Sequence, residues 1–158
     1  LILFVAPTKQ SRESVKALAE KLGMPYVVDR WLGGTLTNFK VINARVRKLE
    51  SMEQEQASGA WDKYTKKERL MLERELVTMC KNFDGLKKLV RIPDIVFVAS
   101  VKEGGLPIAE SKKMGVKTVG IVNTDADPKL LNLAIPGNDR SKMAVDIIIQ
   151  ALSNELTS

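Results

Sequence analysis

The stretch Arg30-Trp31-Leu32-Gly33-Gly34-Thr35-Leu36-Thr37-Asn38-Phe39-Lys40 holds the residues of this 158-residue chain best suited to meeting an anion. Gly33 and Gly34 let backbone approach a second surface and adopt dihedrals that other residues resist. Thr35, Thr37 and Asn38 are short donors, and Arg30 and Lys40 flank them with positive charge. The segment lies where a strand-like run gives way to a long amphipathic pattern, and helix N-termini favour anions. On these residues alone, a tight turn that buries Trp31 and a turn that contacts an anion stand at even weight.

Other chemistries have little to work with. The chain has no histidine and one cysteine, Cys80, which removes zinc sites and histidine-based acid–base or triad catalysis. A single cysteine also removes an internal disulfide framework and fits a reducing compartment. Ser100 and Ser111 have no histidine to activate them, and Cys80 beside Met79 reads as a buried helical thiol. Neither G-x-G-x-x-G nor G-x-x-x-x-G-K-[ST] occurs. Asp125, Asp127 and Asp139 fall in loops after strands, where a phosphate or magnesium site is conceivable. The same residue types are ordinary turn and cap residues. No catalytic residue, metal or cofactor is expected. A nucleotide- or small-molecule-binding domain using the loop 123–127 is the alternative.

Charge points to a polyanion. The net +6 divides as +2 over residues 1–39, +5 over 40–91 and −1 over 92–158. The middle third is the electropositive part, and a basic stripe is the footprint of nucleic-acid binding. No run approaches the roughly 18 apolar residues that a membrane span needs. Composition, with 44% hydrophobic and 28% charged residues, is that of a soluble globular protein.

These residues must be positioned by alternating strands and helices. Leu1–Val5, Tyr26–Val28, Ile95–Ala99, Thr118–Val122 and Leu133–Ile135 read as strands, the first a continuous apolar run suited to burial on both faces. A helix from Ser11 carries Val15, Leu18, Ala19 and Leu22 on one face and ends at Gly23. A second runs to Met114, with Pro107 in its first turn and Gly115 as its C-terminal cap. The last spans about 141–152, expected to bury Ala144, Ile147, Ile148 and Ala151. Between the second and third strands lie two heptad stripes: Phe39, Ile42, Val46, Leu49, and Leu72, Leu76, Met79, Phe83, Leu86. A polar loop over 54–64 joins them, which predicts a protruding antiparallel coiled-coil hairpin. The division is a doubly wound α/β sheet domain over 1–38 and 87–158, with an inserted hairpin over 39–86. The chain opens inside an apparent strand without an initiator methionine, so residues upstream of Leu1 are expected.

Four ordered motifs then resemble one family. Arg30 to Phe39 is similar to the signature of the bacterial-type family of the second small-subunit ribosomal protein. Leu89–Val98, with its Pro93-Asp94, is similar to that family's segment leading into a strand. Ile121-Val122-Asn123-Thr124-Asp125-Ala126-Asp127-Pro128 and Ile135-Pro136-Gly137-Asn138-Asp139 resemble its later loop and turn. Departures occur at Val5–Gln10 and at Asn123 and Asp125, and the family's N-terminal region is absent. The resemblance implies a flavodoxin-like, five-stranded parallel sheet with a protruding coiled coil. It also implies a non-catalytic structural role in translation, bound to small-subunit ribosomal RNA in a cytoplasmic or organellar ribosome. Implied partners are neighbouring small-subunit proteins, including the large messenger-binding protein if the ribosome is bacterial.

Placed on this sequence, the expectation is that Arg30, Lys40, Arg45, Arg47 and Lys48 neutralise phosphates. Gly33 and Gly34 allow close approach, while Thr35, Thr37 and Asn38 donate to phosphate or sugar oxygens. Trp31 is expected to pack at the base of the hairpin rather than stack on a base.

Overall fold

The computed structural model describes residues 1–157, with side chains described through residue 156. Five parallel strands form one sheet in the order β2-β1-β3-β4-β5: β1 (Ile2–Val5), β2 (Tyr26–Val27), β3 (Ile95–Val98), β4 (Lys117–Val122) and β5 (Leu133–Pro136). The order is that of flavodoxin-like doubly wound folds. Register is fixed by paired apolar strands, with Phe4 opposite Phe97 and Val5 opposite Val98.

Side-chain alternation along the strands splits the core in two. Phe4, Phe97 and Ile121 face α1 (Lys9–Leu22) and α5 (Lys142–Thr157), against Val15, Leu18, Val145 and Ile149. Leu3, Val5, Val96 and Val98 face the other way, toward Ile108 of α4 (Gly105–Met114) and Leu36 of the turn. Burying each such side chain is worth roughly 1.5–3 kcal/mol. Gly23 and Gly115 end α1 and α4 with φ of 67° and 68°, as their sequence positions predict.

The buried stripe of α5 differs from the expected one. Val145 and Ile149 are buried, while Ile147 is 62% exposed and Ala151 lies at the surface. Residues 143–149 are apolar almost all round, so periodicity alone leaves the phase open. Packing against α1 sets it, with the Ser14 hydroxyl donating to Asp146 and Lys21 donating to the Ser153 hydroxyl at 3.1 Å.

Between β2 and β3 come α2 (Phe39–Ala57), a short 3-10 turn (Ala60–Lys63) and α3 (Lys66–Phe83), then a second 3-10 turn (Asp84–Leu86) that sits on β2. The heptad stripes do bury: Ile42, Val46 and Leu49 on α2, and Leu76, Met79 and Phe83 on α3. The expected loop over 54–64 is shorter, because α2 runs to Ala57 and Trp61 folds back, 5% exposed, with its indole donating to Glu55. Thr65 opens α3 with a capping box to Glu68. Lys48 of α2 meets Glu75 of α3 at 2.5 Å, and Glu53 of α2 meets Cys80 of α3 and Lys87 beyond it.

Candidate nucleic-acid interface

The turn between β2 and α2 is organised by a residue from a distant element. Glu110, 8% exposed on α4, points its carboxylate into the segment 31–37. Oε1 accepts from the Trp31 indole at 3.0 Å and from the Gly34 N–H at 2.8 Å. Oε2 accepts from the Leu36 N–H at 3.0 Å and from the N–H and hydroxyl of Thr37, each at 3.3 Å. Burial pushes the Glu110 carboxyl up, but hydrogen bonds from Trp31 and from the Leu36, Gly34 and Thr37 amides outweigh it and hold the group below its ordinary value. A carboxylate accepting several such bonds favours its charged form. The turn does bind an anion, and that anion belongs to the protein.

This reassigns several of the expected contacts. Thr35 is fully buried and its hydroxyl donates to the Leu32 carbonyl at 2.6 Å, so it faces the core rather than a ligand. The Gly34 N–H and both Thr37 donors are taken by Glu110. Gly34 holds φ of 92°, a left-handed value that favours glycine. Gly33 and Asn38 are exposed, and open space surrounds Gly33 where a Cβ would project. Trp31 packs against the core at the root of α2.

The expected cations point outward. Arg30, Lys40, Arg45 and Arg47 are exposed and make no ion pair among the described residues, whereas Lys48 is paired with Glu75. Lys40 and Arg47, seven residues apart, share the solvent face of α2, with Arg45 and Lys48 along one flank. Reasoning from sequence missed Glu110. Its one local signal is a carboxylate among the buried Pro107, Ile108 and Ser111 of a short helix.

The acidic residues at the carboxyl ends of the strands are each engaged internally. Asp139, 4% exposed, accepts from the Ser100 hydroxyl at 2.6 Å and from the Asn123 amide at 3.0 Å. Asp125 pairs with Lys102 at 2.8 Å and with Arg140 at 2.6 Å, and the Lys102 hydrogen bond above all holds its carboxyl below the usual range. Asp127 accepts from the Lys129 N–H at the start of a 3-10 turn, Pro128–Leu130. These are the fastenings of loops, and the nucleotide-binding alternative is not favoured.

Comparison with known proteins decides the family. The family model described as ribosomal protein S2 matches residues 1–157. The chain belongs to the ribosomal protein S2 family. Relatives from that family named small ribosomal subunit protein uS2 include one from Cytophaga hutchinsonii, 42% identical over 151 residues, covering 96% of this chain and 59% of the relative. Another, from Chlorobium phaeobacteroides, is 36% identical over 157 residues, covering 99% of this chain and 62% of the relative. A third, from Chloroherpeton thalassium, is 38% identical over 155 residues, with 98% and 62% covered. The chain thus spans about three-fifths of the length of these S2 relatives. The segment 31–37 that Glu110 holds lies within the matched residues. Among the described residues, no helix is long and apolar enough to cross a membrane.

Proposed function

We propose that this chain is an architectural constituent of the small ribosomal subunit that binds small-subunit ribosomal RNA and performs no catalysis. The observation that carries the reading is the set of exposed cations Arg30, Lys40, Arg45 and Arg47, without an ion pair among the described residues, around a turn whose own donors are satisfied by Glu110. The S2 relatives' names supply the setting, a small ribosomal subunit. Arg30, Lys40, Arg45, Arg47 and Lys48 neutralise phosphates, with Gly33 and Asn38 offering exposed backbone and amide beside them. Gly34, Thr35 and Thr37 serve as the internal frame that holds this surface in place. Because the A-form major groove is too narrow for side chains, recognition rests on shape and backbone. Neighbouring small-subunit proteins, including the large messenger-binding protein in a bacterial ribosome, are the protein partners, and the inserted helices α2 and α3 are the surface offered to them.

Co-sedimentation of the intact chain with small ribosomal subunits tests the proposal. Co-migration at low salt, reduced when Arg45 and Arg47 are replaced by alanine, is the expected result. Failure to co-migrate, together with thermal stabilisation by nucleotides or Mg²⁺, would move the assignment to the alternative.

A further inference from the structure

We infer that Lys112, Lys117 and Lys129 form a second phosphate-binding cleft for RNA, at the amino end of the sheet and apart from the turn at 30–38. The inference rests on the reading that the chain binds ribosomal RNA, and it adds a contact face that charge along the sequence conceals. The three lysines line one open cavity of about 270 Å³ whose wall is completed by Gly115, Val116, Leu130, Leu131 and Asn132. That lining contains no carboxylate. All three lysines are exposed and make no ion pair among the described residues.

Three separate pieces of chain bring the lysines together, and each is tied down. Lys112 stands in the last turn of α4, whose end is fixed by the left-handed Gly115 and by the Val116 N–H donating to the Ser111 carbonyl at 2.9 Å. Lys117 begins β4. Lys129 lies in the 3-10 turn that precedes β5, and this segment is fastened to β4 beside Lys117. Asn132 Oδ1 accepts from the Thr118 N–H at 2.8 Å, while the Asn132 N–H donates to the Thr118 carbonyl at 3.0 Å. Nearby carboxylates are already committed. Asp94, next to Lys117 across the β3–β4 pairing, binds Arg91 and the Leu1 amine. Asp127 accepts from the Lys129 amide.

Lys112 and its neighbour Lys113 also complement the negative end of α4. That role does not account for Lys117 or Lys129. Three exposed lysines around one cleft with no carboxylate in its lining suit a phosphate backbone, which neutralises several cations at once and releases their counterions.

The test measures binding of the intact chain to small-subunit ribosomal RNA as a function of salt. Each phosphate contact adds roughly 0.7–0.9 to the slope of log affinity against log salt. For the double variant K117A/K129A the slope should fall by about 1.5, with thermal unfolding unchanged. K117R/K129R should retain the wild-type slope. An unchanged slope and affinity in K117A/K129A, with wild-type binding intact, would overturn the cleft alone. Absence of salt-dependent wild-type binding would overturn both the cleft and the broader RNA-binding reading.

Discussion

Replacing Glu110 with alanine would leave the Trp31 indole and the amides of Gly34, Leu36 and Thr37 without their acceptor. Each buried donor left unmade costs about 1–3 kcal/mol, so a loss of roughly 3 kcal/mol or more in urea unfolding is expected for Glu110→Ala. Glu110→Gln keeps the shape but turns an N–H₂ group toward amide donors, and a smaller loss is expected. The carboxyl lies below its ordinary 4.5 in the folded state, so its stabilisation is full above that value and is lost as pH falls through the folded value. Wild-type stability should therefore decline more steeply than that of Glu110→Gln as pH drops below about 4.5. Parallel wild-type and variant curves would show that the carboxylate is not what holds the turn. Cys80 offers a second check. Burial first, then Glu53, pushes its thiol up, so alkylation at neutral pH should be slow and should quicken in Glu53→Gln. At this scale the sequence marks the turn as functional but not its organiser. Seventy-odd residues separate Glu110 from Gly34, and spacing reports only on neighbours along a helix or strand.

At the scale of elements, the second 3-10 turn is where the end of α3 meets β2 of the sheet. A Cβ on Gly85 would lie 2.2 Å from the Tyr26 carbonyl oxygen of β2, a clash with backbone that no rotamer relieves. Gly85→Ala should therefore destabilise the chain by about 2 kcal/mol or more, read as a lowered Tm. It should also loosen the root of α3. Thr65→Ala removes a capping box and should cost about 1 kcal/mol, without altering the sheet. Strands and glycine-capped helix ends were legible because continuous apolar runs and terminal glycines are local signals. The angle between α2 and α3 is not, since heptad stripes state which face is buried and leave the angle between axes to packing. The stripe of α5 was misplaced for a related reason: a helix apolar on most sides has no unique buried face until α1 selects Val145 and Ile149.

Across the whole molecule, charge is spent unevenly. Over residues 92–158 the sum is −1, which suggests nothing for a polyanion to hold. Yet Glu110, Asp125 and Asp139 in that third are turned to internal partners, while Lys112, Lys117 and Lys129 are exposed and make no ion pair among the described residues. Residues 30–48 present a second group of cations, Arg30 from the turn after β2 and the rest from α2. A chain that meets RNA through two such groups should release several counterions on binding, and contacts at separate sites should contribute almost additively. The most direct measurement of this account is the affinity of the intact chain for small-subunit ribosomal RNA between about 50 and 200 mM salt. Affinity should fall on the order of 10³-fold or more across that range, as expected for six or more phosphate contacts. A salt-independent affinity, or none for this RNA at low salt, would contradict it.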